Sequence, residues 1–233
     1  MKTILALGVF LMLVFPSRSL AEGWTFGVDG GLAVPTQNVF PTNTGDAGTH
    51  SLPYFQSLNS SDGWIVSVDA YHSVWKWIDA GLVLSVVNLG VWADSPVFPS
   101  QGGPCCGVRT NLGTVESWDV LPSVRIHPWT FGNWTPFLEA DLGWSWNQWS
   151  VQEGNFINAS CCGFGARLSN ALMVRGELGA DYRISRNVSL ESLVGLSQSD
   201  PLGSVDLPQG TGGMDEEFNL TFFFVSVGVR FNL

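Results

Sequence analysis

The sequence predicts an all-β protein, an eight-stranded antiparallel up-and-down transmembrane β-barrel with long extracellular loops and short periplasmic turns. Three observations carry this expectation. Past the N-terminus the hydrophobic period is two residues rather than 3.6, and it recurs in eight separate segments. The connections between those segments alternate strictly between long and short. Charged residues make up only 13% of the chain, against roughly 25% in soluble domains, and there are 11 Trp. A surface with so few charges is not built to meet water everywhere.

The first element, residues 1–21, reads as a secretory signal peptide. Lys2 supplies the positive start, Ile4 to Phe15 the apolar stretch, and Ser19-Leu20-Ala21 a small-residue cleavage site before Glu22. Residues 22–233 then form the barrel domain. Losing Lys2 and Arg18 leaves 8 of the 10 basic residues against 20 acidic ones, a net charge of -12. That balance excludes nucleic acid as a partner, because nucleic acid is bound through clustered Lys and Arg.

Eight alternating segments follow. Gly23 to Val34 sets Trp24, Phe26, Val28 and Leu32 against Thr25 and Asp29. Gly63 to His72 sets Trp64, Val66, Val68 and Ala70 against Ser67, Asp69 and Tyr71. Ile78 to Trp92 is nearly all apolar, with Asp79 and Ser85 in phase and Asn88 out of phase, as at a bulge. Val115 to His127 opposes Trp118, Val120, Val124 and Ile126 to Ser117, Asp119, Ser123 and Arg125. The stretch PFLEADLGWSWN opposes Leu138, Ala140, Leu142, Trp144 and Trp146 to Glu139, Asp141, Ser145 and Asn147. Asn170 to Ile184 opposes Leu172, Val174, Leu178, Ala180 and Tyr182 to Arg175, Glu177, Asp181 and Arg183. Val188 to Ser199 opposes Leu190, Val194 and Leu196 to Ser189, Glu191 and Ser197. The last, Thr221 to Leu233, opposes Phe223, Val225, Val227, Val229, Phe231 and Leu233 to Phe224, Ser226, Gly228 and Arg230.

The long connections are residues 35–62, 93–114, 150–169 and 200–217, and the short ones 73–77, 128–135 and 185–187. An even strand number with this asymmetry is the pattern of an outer-membrane barrel. The tryptophans sort the same way, with Trp24, Trp75, Trp77, Trp129 and Trp134 at the short-turn end. Trp64, Trp92, Trp118, Trp144, Trp146 and Trp149 fall toward the long-loop end, and none is expected at a strand's middle. Two aromatic girdles bounding an apolar band are what two membrane interfaces select.

The polar face is expected inside. Its cations are Arg rather than Lys, and Arg is the residue that forks onto packed carboxylates. An interior charge network of Asp29, Asp69, Asp119, Arg125, Glu139, Asp141, Arg175, Glu177, Asp181, Arg183, Glu191 and Arg230 follows, with Asp79 in the same phase. A barrel of eight strands is just wide enough to be filled by such side chains.

Three stretches, WTPFLEADLGW, GELGADYRISRNVSLE and the terminal SVGVRFNL, resemble the eight-stranded OmpA-like and OmpX-like outer-membrane β-barrel proteins of Gram-negative bacteria. The resemblance runs from about Gly23 to Leu233. It implies a monomer in the cell outer membrane, in contact with outer-membrane lipid and lipopolysaccharide and inserted by the barrel assembly machinery. Members of that family usually end in an aromatic residue read during assembly; here the signal would be Phe231 and Leu233.

Chemistry-bearing motifs are sparse. Cys105, Cys106, Cys161 and Cys162 lie in two neighbouring long loops and, in an exported chain, are candidates for one or two disulfides. Four cysteines allow three pairings, and adjacent cysteines lack metal-ligand spacing, so no metal and no cofactor is expected. His72 and His127 fall at the periplasmic end, leaving His50 alone in an outer loop. His72 and Ser73 are sequence neighbours and point to opposite faces. The acidic run Asp215-Glu216-Glu217 reads as a solvated loop. The functional expectation is a non-catalytic structural or surface-interaction role carried by the extracellular loops. The alternatives are a narrow cation-preferring channel or small-molecule conduit, which acidic rings would favour, and a lipid A-modifying enzyme.

Overall fold

A computed structural model describes residues 23–36, 58–93, 110–151, 165–206 and 213–233. The signal segment, His50 and the four cysteines lie outside the described residues. Eleven strands are present among the described residues: β1 Trp24–Pro35, β2 Leu58–Trp75, β3 Ile78–Ala93, β4 Thr110–Ile126, β5 Trp134–Val151, β6 Gly165–Leu168, β7 Ala171–Arg183, β8 Val188–Ser199, β9 Leu202–Asp206, β10 Gly213–Glu217 and β11 Leu220–Asn232. Eight of them close into a barrel in the order β1-β11-β8-β7-β5-β4-β3-β2. Every neighbouring pair is antiparallel, and closure is made by β1 on β11, from Thr25↔Asn232 to Pro35↔Phe222. No edge is left in the barrel wall, as a lipid solvent requires.

Alternation decides the two faces. Along β8 every second residue from Ser189 to Ser199 is buried and the residues between them are exposed, apart from the half-buried Val188. Leu138, Leu142, Leu172, Val174, Leu178, Leu190, Leu196, Val225 and Val227 all face outward. The apolar face is therefore the outer face, the reverse of a soluble barrel.

Turn chemistry fixes one end. Phe131 and Trp134 exchange backbone hydrogen bonds of 2.8 and 2.9 Å around Gly132, whose φ of +58° suits a tight two-residue hairpin. Ser185 Oγ accepts from the backbone N–H groups of Asn187 and Val188 and rounds the β7–β8 turn. The start of β1, the end of β11 and the tight turns share this turn end; residues 37–57, 94–109, 152–164 and 207–212 lie outside the described residues.

Exposed Trp75, Trp77, Trp129 and Trp134 ring the turn end, and Trp64, Trp118, Trp144 and Trp146 are exposed nearer the loop end. Trp134 and Trp144 are ten residues apart on β5, about 33 Å of strand, which at a tilt of about 40° spans about 25 Å of membrane normal. The spacing matches an apolar bilayer band.

Four expectations need correcting. The outer Trp residues do not avoid strand middles, because β2, β4 and β5 run 18, 17 and 18 residues, well past the 9–11 or so that cross a bilayer. Trp118 and Trp144 sit at the interface and yet mid-strand. Trp149 is not in the girdle: it shares the inward phase of Ser145 and Asn147, is buried, and meets the Phe218 ring edge-on at 6.0 Å. Asn88 is no bulge; it pairs in register with Trp64 and Glu116, and the register shifts on β2, β3 and β4 fall instead between Ser61 and Gly63, between Ser73 and Trp75, and between Val91 and Trp92. Finally, part of the 150–169 and 200–217 connections is sheet. β6, β9 and β10 form a separate three-stranded antiparallel sheet in the order β10-β9-β6.

Candidate functional site

The barrel interior is divided into two storeys. Toward the loop end it is mostly apolar, with Ala33, Ile65, Val87, Leu89, Met173, Phe222 and Phe224 buried beside the uncharged polar residues Ser117, Asn147, Ser197 and Ser199. Phe224 lies over the inward-facing Gly195, and Phe137 lies over Gly179, each in space that a Cβ would occupy. Inward glycines thus make room for aromatic rings that barrel curvature would otherwise exclude.

Toward the turn end the lumen is ionic, and Arg125 is its hub. β4 delivers it inward between β3 and β5, and it is 1% exposed. Its Nε donates to Glu139 Oε2 at 2.6 Å, and Nη2 makes an ion pair with the same oxygen at 2.5 Å. Nη1 donates to Glu191 Oε2 at 2.6 Å and stands 3.8 Å from Asp181. The guanidinium plane is held between Phe137 and Tyr71, 3.8 and 4.7 Å from their ring centroids. The Tyr71 hydroxyl donates to Glu139 Oε1, and Ser123 Oγ does so at 2.9 Å.

Arg230, supplied by the last strand, shares Glu191 with Arg125 and reaches Asp69 at 3.1 Å and Asp181 at 3.6 Å. Arg175 forms a higher layer: Nη2 donates to Ser85 Oγ at 2.7 Å and to Asp119 Oδ2 at 3.2 Å, and its Cζ lies 5.3 Å from the Phe224 centroid. Ser226 donates to Asp29 at 2.8 Å. Eight carboxylates (Asp29, Asp69, Asp119, Glu139, Asp141, Glu177, Asp181 and Glu191) therefore share a lumen with three guanidiniums. No Lys enters it among the described residues, and His127, in the phase of Arg125 and 6.3 Å from the Phe137 ring, stands at its turn-end mouth.

Two residues expected in this network are elsewhere. Arg183 has the right phase but is exposed at the turn end, where the strand leaves the barrel. Asp79 is half-buried at the same end, accepting from Ser73 Oγ at 2.8 Å and lying 2.7 Å from His127 Nε2. That Ser-Asp-His grouping has the carboxylate in the middle, so the imidazole is not placed to take the serine proton. His72 packs its ring on Trp24 at 5.0 Å instead. Phe231 and Leu233 are both exposed on the outer face, and the Leu233 N–H bonds the Trp24 carbonyl at 3.0 Å, tying the terminus to the first strand.

The aromatic clamp on Arg125 is not among the features that the charges alone single out in the sequence. Phe137 and Tyr71 share the charged phase, and an aromatic residue among alternating acids is the signal that marks it. Tyr71 also adds the hydroxyl that lets Glu139 accept from several donors.

No protein-family model and no curated protein matches the chain. Solved structures do. The outer membrane protein OprG from Pseudomonas aeruginosa superposes with a TM-score of 0.63 at 13% identity, covering 91% of this chain and 98% of that one. The outer membrane protein AlkL gives 0.53 at 13% identity over 93% and 94% of the two chains, and Neisserial surface protein A gives 0.51 at 15% over 91% and 98%. The chain thus has the fold of the outer-membrane β-barrels. Within that class it has the eight-stranded up-and-down fold of these small barrels.

Proposed function

We propose that the protein is an exported, monomeric barrel of the Gram-negative outer membrane, closed to ions by its charged lumen. Its work lies at the loop end, where it meets lipopolysaccharide and surface partners without catalysing a reaction. The observation that carries the reading is Arg125, which bridges Glu139 on β5 and Glu191 on β8 while two rings cover its faces. A guanidinium fixed across the bore fills the space an ion would need. Planar-bilayer recording of the refolded mature chain tests it: no steady conductance is expected, and a stable cation-selective current would refute it.

A second reading is favoured by one observation, the apolar upper storey of Ile65, Leu89, Met173, Phe222 and Phe224. It supports a small-molecule conduit for uncharged apolar solutes rather than the cation path that the acidic face alone suggests. Flux of an apolar fluorophore into vesicles containing the barrel, without ionic current, would support this reading over the first.

A further inference from the structure

We propose that the lumen binds a divalent hard cation between Glu139, Asp141 and Glu177. Glu139 on β5 and Glu177 on β7 are direct cross-strand partners, both pointing inward. Like charges at directly opposed positions destabilise a strand pair. Asp141 lies two residues along β5 on the same face, and one carboxylate oxygen from each of the three is within 4.8 Å of the others. Oxygens bound to a single calcium ion at about 2.4 Å are at most about 4.8 Å apart.

Asp141 gives the independent observation. It is 2% exposed, and neither carboxylate oxygen has a hydrogen-bond partner among the described residues. A charge buried this way is costly unless something positive meets it. Neither nearby guanidinium hydrogen-bonds Asp141. Arg175, the register partner of Asp141, turns its Nη2 to Ser85 and Asp119, while its Nη1 stands 3.8 Å from Glu177 and, like Nε, makes no hydrogen bond among the described residues. Arg125 is committed to Glu139 Oε2 and Glu191.

The other opposed acid pair is built differently. Asp181 faces Glu191 across β7 and β8, and both Arg125 and Arg230 reach the two carboxylates. The acids Asp29, Asp69 and Glu191 also gather their oxygens within 4.8 Å, but Ser226 and Arg230 already serve them. Only the first cluster combines opposed acids with an unpartnered third.

An all-oxygen, all-carboxylate set selects a hard ion over a thiophilic or imidazole-seeking one. Irregularly placed side chains on two strands suit calcium, which tolerates loose geometry, better than magnesium, which demands an octahedron. Being enclosed, the ion would enter during folding and leave slowly. The inference rests on the packed lumen of the reading above; the two fail separately, because a conducting barrel is seen in the bilayer and an ion-free one in the metal count.

The test uses the mature chain refolded in detergent with CaCl2 or MgCl2 alone, desalted into chelator, and assayed for metal per folded barrel by inductively coupled plasma mass spectrometry. One retained calcium per wild-type barrel is expected, falling to background in Asp141→Asn and in Glu177→Gln. Both variants should keep the heat-modifiable gel shift of a folded barrel. A folded wild type that retains neither ion would overturn the inference, as would an Asp141→Asn barrel retaining as much calcium as the wild type, which would place the ion on other acids. Should the variants not fold, the wild-type count decides by itself. An infrared band of a protonated carboxyl in the ion-free wild type, lost in Asp141→Asn, would show that protons take the cation's place.

Discussion

Replacing Arg125 by Met keeps an unbranched stem as far as the Nε position and removes the charged end. The change deletes two hydrogen bonds, to Glu139 and Glu191, a further ion-pair contact with Glu139, and the cation between the Tyr71 and Phe137 rings. It leaves eight interior carboxylates to two guanidiniums. Breaking a buried pair by removing one partner costs about 3–5 kcal/mol, because the remaining charge stays buried without compensation. With a urea slope of about 2 kcal/mol/M for a small protein, a loss of about 4 kcal/mol moves the unfolding midpoint down by about 2 M. The measurement is urea unfolding of the refolded barrel in lipid vesicles, followed by tryptophan emission. Adding Glu139→Gln to Arg125→Met should restore about 0.5–3 kcal/mol, since the two residues are in contact and their effects do not add. A midpoint within about 0.3 M of wild type for the single variant would refute the account, since it would mean that Arg125 is not the residue neutralising Glu139 and Glu191.

Leu138 is exposed on the outer face of β5, between the Trp134 and Trp144 girdles, so Leu138→Arg places a charge near the bilayer midplane. It should destabilise the barrel by about 2–4 kcal/mol in vesicle unfolding, while Leu233→Arg at the interface should cost about 0–1 kcal/mol; equal effects would argue against the assigned depth. Single-Trp forms retaining Trp144 or Trp149 should differ in quenching by brominated lipid. Trp144 faces outward and should be quenched, whereas the buried Trp149 should not.

Faces were legible in the sequence and depths were not. A period of two reports which side of the sheet a residue takes, so Asp141, Arg175 and Arg230 could be placed inward from phase alone. Phase cannot say where along the axis a residue sits, and Arg183, two positions beyond Asp181, leaves the barrel at the turn end. Trp149 shows the opposite error: its phase points inward, but grouping it by position alone with Trp144 and Trp146 put it in the girdle. The strands β6, β9 and β10 are 4, 5 and 5 residues long, too short for alternation to rise above composition. Asn88 mimics a bulge because a polar residue at the membrane interface needs no break in register. The partition of interior charge into paired and unpaired acids depends on which guanidinium reaches across the bore, a matter of tertiary geometry with no local sequence signal.

The position of Arg230 bears on the order of assembly. Of the three interior guanidiniums it alone belongs to the strand that closes the ring, and it is the only guanidinium on Asp69 among the described residues. A chain paired as far as β8 would hold Asp69, Asp181 and Glu191 with one cation fewer, facing an unsatisfied seam on β1. Docking of the final segment then supplies both the missing backbone partner and the missing countercharge in one event. Sealing the wall and balancing the lumen are a single step, so a chain cut short before Arg230 should stall as an open, electrostatically frustrated sheet.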